Sequence, residues 1–229
     1  MSDCSTKFFA KPRSPEAGAA HPNVKSARDV MDKHFEELLL LYAQENEPDK
    51  REKIEATLWQ EFGKVKAVFV MDMSGFSLLS YRHGIVHYLS IVKRMQLTAQ
   101  PIIEKYRGQV VKFEADNCFA MFDDPLSAVR AAIALNTAFF AMNVLTEDEF
   151  DIRVSIGIDY GDVLLIGGPD YFGNSVNCAC KIGEDIGGPG EILVTAAAFK
   201  QIPDTAGIQG RKVELAIAGV PVEVYSIEH

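Results

Sequence analysis

The sequence predicts an α+β fold with a ferredoxin-like core, in which helices pack on one side of a mainly antiparallel sheet. Two observations support this prediction. Short apolar runs of strand length alternate with segments of helical spacing, and two of those runs form a hairpin at 109–122. A chain of 229 residues with 48% hydrophobic residues can also bury one substantial core together with an extension.

Composition and periodicity divide the chain into three parts. Residues 1–25 contain three prolines among several Ala, Gly and Ser residues and are predicted to be flexible. Residues 26–63 form an N-terminal helical extension whose apolar stripe is interrupted at Pro48. That stripe either packs on the chain's own core or binds a partner or dimer helix. Residues 64–229 form the third part, which holds the candidate functional residues.

The third part is predicted to alternate between strands and helices. Glycine and proline residues at 187–190 end one helix and turn the chain into the next strand. The predicted elements are a strand at 66–73, helices up to 107, the hairpin at 109–122, a helix at 126–145, strands at 151–160 and 162–166, a helix carrying Asn177, a strand at 191–194 and a final pair at 212–217 and 221–227.

Charge and composition exclude several classes of protein. The net charge of −9 argues against nucleic-acid binding, which requires a basic face. No apolar run approaches the ~20 residues of a membrane span, and the N-terminus lacks a signal-peptide core. The four cysteines show no metal-ligand spacing. We therefore expect a protein of the reducing cytoplasm, without a membrane span.

Asp72 ends an apolar, strand-like run and is followed at once by the small-residue turn Ser74-Gly75. A carboxylate costs several kcal/mol to bury unless a cation or a donor lies nearby. At the open end of a strand it could hold a divalent metal while the N–H groups of the turn hold phosphate. A helix-capping aspartate would give the same local pattern, and this run alone does not separate the two interpretations.

Asp116 is predicted at the tip of the hairpin at 109–122 and can face Asp72 if the two strands are neighbours. Two carboxylates in a small space repel each other unless cations neutralise them. Two Mg²⁺ ions roughly 3.5–4 Å apart would do so and would support phosphoryl chemistry. An Asp-Asn hairpin turn is common in its own right, so the pair, rather than either residue, favours a metal site.

Asn177 and Lys181 are four residues apart in a segment of helical spacing, so they share one helix face and can contact one ligand together. A solvent-facing polar pair on an amphipathic helix is the competing interpretation.

These residues together resemble the class III nucleotidyl (adenylate/guanylate) cyclase catalytic domain. The resemblance covers about residues 64–228, with five motifs in the family's order and spacing. The motifs are Asp72-Met73-Ser74-Gly75-Phe76-Ser77, then Lys112 with Asp116, then Arg153–Ile158 with Gly161, then Gly173 with Val176-Asn177, and finally Gly190–Val194.

The resemblance implies a role for each matched residue. It makes Asp72, Asp116 and the Met73 carbonyl the ligands of two Mg²⁺ or Mn²⁺ ions. It makes Asn177 the residue that orients the ribose. The residues implied to cradle the triphosphate are Ser74, Gly75, Phe76 and Ser77.

The resemblance also implies the base, because Lys112 and Asp170 stand where the family reads the purine. A Lys–Asp pair there is typical of adenine-selective members, with Lys donating to a ring nitrogen and Asp accepting from the exocyclic amine. The implied reaction converts ATP to 3′,5′-cyclic AMP and pyrophosphate by in-line attack of the ribose 3′-hydroxyl on the α-phosphate. The family pattern further implies a head-to-tail homodimer with two equivalent interfacial sites.

Three positions depart from the family pattern. The transition-state Arg of the family is Lys181 here, which offers a point charge rather than a planar fork of donors. Ala218 stands where many members place a triphosphate-binding Lys. Ala115 replaces a Gly, which matters only if that position needs a positive φ. These departures keep two alternatives open: a degenerate domain that binds nucleotide or only dimerises, and a cyclase that uses GTP or a pyrimidine nucleotide.

Overall fold

A computed structural model of the chain describes residues 22–166, 170–217 and 220–229, without the side chains of 22–30, 32, 76–79, 217 and 220. The helices are α1 (Pro22–Gln44), α2 (Pro48–Phe62), α3 (Phe76–His83), α4 (Ile85–Lys105), α5 (Pro125–Asn143), α6 (Asn174–Cys180) and α7 (Ala196–Phe199). The strands are β1 (Gly63–Met73), β2 (Gln109–Glu114), β3 (Asn117–Phe122), β4 (Val154–Leu165), β5 (Tyr171–Phe172), β6 (Ile192–Thr195), β7 (Gly210–Ile217) and β8 (Val220–Ile227).

The strands form a single sheet in the order β2-β3-β1-β4-β6-β8-β7, with β5 paired to β4. All of its pairings are antiparallel except that of β4 with β6. This confirms the predicted α+β class and its mainly antiparallel sheet. In the centre, β1 pairs with β3 on one side and with β4 on the other, so the end of β1 is fixed from both sides.

The largest core lies between one face of the sheet and α4 and α5, where Phe69, Ile91 and Leu135 are fully buried. A second apolar cluster covers the opposite face, where Val70 and Val163 contact Ala179 of α6. The sequence placed the helices on one side of the sheet, and this is wrong for α6. Its apolar residues cover the face that α4 and α5 leave open, because both faces of the central strands carry apolar side chains.

Two element boundaries also differ from the prediction. The sequence placed a break in β4 near Gly161, but β4 runs unbroken because it stays paired with β1 from Leu164 to Val154. The strand predicted from 151 begins at Val154, since Asp148–Phe150 form a short 3₁₀ turn. In each case a tertiary pairing or a local turn, rather than strand propensity, sets the boundary.

Helix α5 is the described helix whose length and composition would suffice to cross a membrane. Asp124 precedes the helix, and its side chain caps it by accepting a hydrogen bond from the Ser127 N–H at 2.8 Å. The residues buried against the core are Pro125, Ala128, Val129, Ala131, Ala132, Leu135 and Phe139. The apolar composition of α5 is therefore explained by its place in the core.

Candidate active site

Asp72 lies at the end of β1, where its backbone is paired with Asn117 of β3 and Ser155 of β4. The chain then turns through Ser74 and Gly75 into α3. The Ser74 N–H donates to the Arg153 carbonyl at 2.8 Å, which ties the turn to the start of β4. These contacts fix the carboxylate at the end of a central strand of the sheet.

Gly75 makes this turn possible because its φ is 87°, in the left-handed region that side chains other than glycine rarely adopt. It also precedes the first residue of α3. Of the residues that the resemblance assigns to the triphosphate, Phe76 and Ser77 open α3, and their side chains lie outside the described part of the chain.

Asp116 lies at the tip of the β2–β3 hairpin, and the structure brings it close to Asp72. Burial, followed by the charges of Asp116 and then Glu184, raises the pKa of Asp72 to about 7, although the Met73 N–H donates to the carboxylate and opposes this shift. Such a shift is expected when half-buried carboxylates share a small space without a cation. The hypothesis that Asp116 and Asp72 face each other therefore agrees with the geometry.

Ala115, beside Asp116, adopts a φ of 50°. The hairpin therefore does use a positive φ at the position where the family pattern has glycine. An L-residue pays roughly 1–2 kcal/mol in that region. Ala115, one of the departures from the family pattern, is therefore locally strained next to Asp116, a candidate metal ligand.

Tyr88 and Glu184 complete the surroundings of the carboxylates, and the sequence analysis missed both. Tyr88 of α4 is buried, and burial, the charge of Asp116 and a hydrogen bond with Asp116 raise its pKa to about 12. Glu184 accepts a hydrogen bond from Asn117 Nδ2 at 3.2 Å. No sequence signal marks either residue, because each comes from an element distant in sequence from Asp72.

The groups at the end of β1 that could bind a metal are carboxylate and carbonyl oxygens. Such hard ligands suit Mg²⁺ or Mn²⁺ rather than softer metals. Two carboxylates fit the ions that the resemblance implies, since the raised pKa of Asp72 shows that the site lacks compensating positive charge. Within the described residues, no group of three or more His, Cys, Asp or Glu side chains is arranged to hold a metal ion. Asp72, Asp116 and the Met73 carbonyl are the oxygen groups that could hold such an ion.

The structure also brings Lys112 and Asp170 together, from β2 and from the residue just before β5. Lys112 Nζ lies 2.9 Å from Asp170 Oδ1 and 3.2 Å from Glu114 Oε2. The hydrogen bond to Asp170 is the largest cause of the raised pKa of Lys112. Lys112 also lies 5.2 Å from the ring centroid of Phe119, so a planar base would meet a charged pair beside an aromatic face.

Asn177 and Lys181 lie on one exposed side of α6, since the Lys181 N–H donates to the Asn177 carbonyl. After Cys180 the helix continues as a π-helical turn, Lys181–Ile186. Turns of this kind recur at functional sites in helices. Lys181 Nζ pairs with Asp185 Oδ2 within this turn, which raises the pKa of Lys181.

Gly183 lets the π-helical turn approach the sheet. A Cβ at this position would lie 2.8 Å from the Gly157 nitrogen and 3.0 Å from the Val70 carbonyl oxygen. Any side chain would push the turn away from β1 and β4. This close approach is what places Glu184 beside the end of β1.

Ala218, the remaining departure in the sequence, lies outside the described residues. Cys4 does as well. The described cysteines Cys118, Cys178 and Cys180 are free thiols.

Residues 58–227 match the family described as the adenylate and guanylate cyclase catalytic domain. The chain belongs to this family. Its members are class III nucleotidyl cyclases, which act on nucleotides, use divalent metals and commonly form dimers. The resemblance read from the five motifs is therefore confirmed.

The named relatives include both adenylate and guanylate cyclases. A curated protein of Rhizobium meliloti (strain 1021), "Putative adenylate cyclase 3", is 26% identical over 132 residues, which are 58% of this chain. The chain spans 22% of the length of that protein. The adenylate/guanylate cyclase/hydrolase of Silicibacter pomeroyi has 27% identity and a TM-score of 0.63, over 73% of this chain and 98% of that one.

Two more distant structures show the fold alone. The adenylyl cyclase CyaB of P. aeruginosa is 23% identical with a TM-score of 0.63, over 73% of this chain and 96% of that one. The guanylyl cyclase Cya2 is 19% identical with a TM-score of 0.64, over 72% and 92% of the two chains. Because cyclases of both base specificities share the fold, the fold does not select between ATP and GTP.

Proposed function

We propose that this chain is an adenylate cyclase that converts ATP to 3′,5′-cyclic AMP and pyrophosphate. The observation that supports this most directly is the pair formed by Lys112 and Asp170, 2.9 Å apart in a chain that also brings Asp72 and Asp116 together. Adenine offers a ring nitrogen that accepts a hydrogen bond and an amino group that donates one. Lys112 supplies the donor and Asp170 the acceptor. Guanine presents a donor where adenine has an acceptor, and an acceptor where adenine has a donor. Its donor would therefore face Lys112 and its acceptor would face Asp170.

The chain's own residues account for the binding of the remaining substrate groups. Asp72, Asp116 and the Met73 carbonyl would hold the divalent ions, and the N–H groups at the start of α3 would face the triphosphate. Such ions, when bound, lower the pKa of the ribose 3′-hydroxyl and neutralise charge on the phosphates. Asn177 orients the ribose, and Lys181 neutralises charge that develops on the α-phosphate.

The reaction forms one bond and breaks one. The 3′-oxygen attacks the α-phosphorus in line with the departing oxygen, so the bond from the α-phosphorus to the α–β bridging oxygen breaks and pyrophosphate leaves. The 3′-hydroxyl proton passes to solvent. Asn177 contributes by holding the ribose so that its 3′-oxygen faces the phosphorus.

We further propose a head-to-tail homodimer in which Asp72 and Asp116 of one subunit face the base-reading pair and α6 of its partner. The exposure of Asn177 and Lys181 in the single chain supports this arrangement. We also propose a cytoplasmic location, which the free thiols at Cys118 and Cys178 favour because such thiols persist in reducing compartments. Residues 64–229 would form the catalytic domain, and residues 26–63 an extension to it.

A second candidate is a nucleotide-binding domain without turnover. The ion pair of Lys181 with Asp185 favours it, because a cation already neutralised within its own helix is less available to the α-phosphate. In that case the protein would bind ATP and release it unchanged. The GTP or pyrimidine alternative has no comparable support in the geometry.

One assay separates these functions. The purified chain is incubated with each of the four nucleoside triphosphates and Mg²⁺ or Mn²⁺, and cyclic products are identified by mass spectrometry. We expect cyclic AMP as the main product. Measurable ATP binding without any cyclic product would favour the second candidate, and cyclic GMP or a cyclic pyrimidine nucleotide as the main product would contradict the assigned base.

A further inference from the structure

A buried hydrogen-bond network lies directly beneath α6. Among the described residues, the buried polar side chains other than those of tyrosine and cysteine are Ser155, Asp159, Ser175 and Thr195. Asp159, Ser175 and Thr195 lie together, with the carboxylate of Asp159 between the two hydroxyl side chains. Buried carboxylates are costly unless donors surround them, so this group requires an explanation.

Asp159 lies in the middle of β4 and is 7% exposed. Its carboxylate accepts a hydrogen bond from the Thr195 hydroxyl, and the Ser175 hydroxyl and the Tyr160 N–H lie close enough to lower its pKa. Burial is the largest influence on the pKa of Asp159 and raises it, whereas Thr195, Ser175 and the Tyr160 N–H lower it. The carboxylate is thus largely but not fully compensated by its partners.

The network joins three elements that are distant in sequence. Asp159 belongs to β4, and Ser175 is the second residue of α6. Thr195 ends β6, and its hydroxyl also accepts from the Ala198 N–H at 3.3 Å, which caps α7. A Cβ at Gly161 would lie 2.5 Å from Ser175 Oγ, so this glycine leaves room for the hydroxyl beneath the helix.

The network lies close to the residues that the proposed function uses on α6. Ser175 precedes Asn177 by two residues and is 6% exposed, whereas Asn177 itself is exposed. Asp159 also lies near Cys178, since its charge, after burial, raises the pKa of that thiol. The other contacts of α6 with the sheet are apolar, with Ala179 buried and Val176 and Cys180 packed against the same cluster.

We propose that Asp159, Ser175 and Thr195 form a positioning network that sets the orientation of α6 and thereby places Asn177 and Lys181 against the substrate. This inference rests on the proposed function, because it assigns the network to the same reaction. Hydrogen bonds are directional, so a single carboxylate shared by two elements defines how α6 is rotated on the sheet. An apolar contact of equal volume would hold α6 without defining that rotation.

Hydrogen exchange tests the structural half of this inference without any turnover. In Ser175→Ala, we expect the amides of residues 176–183 to exchange about tenfold faster, because a buried donor to Asp159 is lost. Ile158→Val is the matched control, since it trims a fully buried side chain next to Asp159 and removes no hydrogen bond. Equal exchange of these amides in Ser175→Ala and wild type would overturn the inference.

Kinetics tests whether the network acts through Lys181. Ser175→Ala should lower kcat for ATP about tenfold or more and change KM less than about threefold, since small misplacements of a substrate-contacting group have large effects on turnover. In a Lys181→Ala background, the same substitution should lower kcat by a smaller factor, because displacement of Lys181 can no longer contribute to the loss and only that of Asn177 remains. Equal losses of kcat in both backgrounds would indicate general damage and overturn the positioning role.

Thr195 supplies a second route to the same test if Ser175→Ala fails to fold. Thr195→Val removes the hydroxyl and should lower kcat, whereas Thr195→Ser keeps the hydroxyl and should restore most of it. Low turnover in both variants would contradict the role of the hydroxyl. If the wild-type chain forms no cyclic nucleotide, the proposed function fails, and the exchange rates of α6 still decide whether the network holds the helix.

Discussion

The end of β1 and the exposed side of α6 contribute to one candidate site under different constraints. Asp72 is half-buried, and its backbone is paired with strands on both sides. Lys181 is exposed, its side chain is 55% accessible, and its partner lies in its own helical turn. The family's Arg is replaced by Lys181 in the second region, whereas Asp72 in the first region matches the family pattern. A position held by the sheet tolerates little change, whereas an exposed cation can be replaced without disturbing the fold.

Removing a carboxylate at the end of β1 should have the largest effect of any single substitution. We expect Asp72→Asn to lower cyclic AMP formation by roughly a thousandfold or more, because divalent ions supply several kcal/mol to phosphoryl transfer and tenfold in rate is about 1.4 kcal/mol. The measurement is kcat/KM for ATP with Mg²⁺. Thermal unfolding should remain cooperative in the variant.

Asp123→Asn is the matched control, because Asp123 is an exposed carboxylate beyond the end of β3 that pairs with Lys66 away from the site. It should leave kcat/KM within about twofold of wild type, as surface ion pairs contribute little. Turnover retained in Asp72→Asn, or lost equally in Asp123→Asn, would break the contrast between the two regions.

The raised pKa of Asp72 predicts a pH dependence of stability. The folded protein binds the Asp72 proton more tightly than the unfolded chain, with a pKa of about 7 against an ordinary value of 3.8. The contribution of this group is therefore greatest below about pH 4 and is lost as the pH rises through 7. Between pH 5 and 8, metal-free protein should lose about 1–2 kcal/mol in its free energy of unfolding, after allowance for hydration of the half-exposed carboxyl.

Urea denaturation in the presence of a chelator measures this effect. Asp72→Asn should lose less stability over the same pH range, because its amide does not ionise. At pH 8, Mg²⁺ should restore stability to wild type but not to the variant. The same pH dependence in both proteins would show that the paired carboxylates do not strain the metal-free fold.

The two regions also differ in how far the sequence predicts them. The end of β1 at Asp72 was predictable, because an apolar run stops there at a Ser-Gly turn. The participation of Tyr88 and Glu184 was not, since each reaches Asp72 only through tertiary packing. Likewise, Gly161 reads as a strand break in the sequence, but pairing with β1 keeps β4 continuous through it. The local pattern thus predicts where β1 ends, whereas long-range pairing decides whether β4 continues through Gly161 and which residues meet Asp72.

Restoring the family residue on α6 should raise activity by a smaller factor. We expect Lys181→Arg to increase kcat about threefold to tenfold, because a guanidinium presents two parallel donors to a phosphate and Lys presents a point charge. Lys181→Ala should reduce kcat. The measurement is initial rate at saturating ATP, with Lys105→Arg at the exposed end of α4 as the control. An unchanged rate in Lys181→Arg would indicate that this side chain does not act on the α-phosphate.

The smallest expected effect concerns the hairpin that carries Asp116. Ala115→Gly should raise the free energy of unfolding by about 1 kcal/mol, because glycine adopts a φ of 50° without the steric cost that alanine pays there. Ala141→Gly, on the exposed side of α5, is the matched control and should lower it by a similar amount, since glycine weakens a helix interior. Urea denaturation compares the two variants. Equal destabilisation by both would mean that the tip is not strained. A stabilised Ala115→Gly with unchanged kcat would show that the strain affects folding alone and that β2 and β3 already fix the position of Asp116.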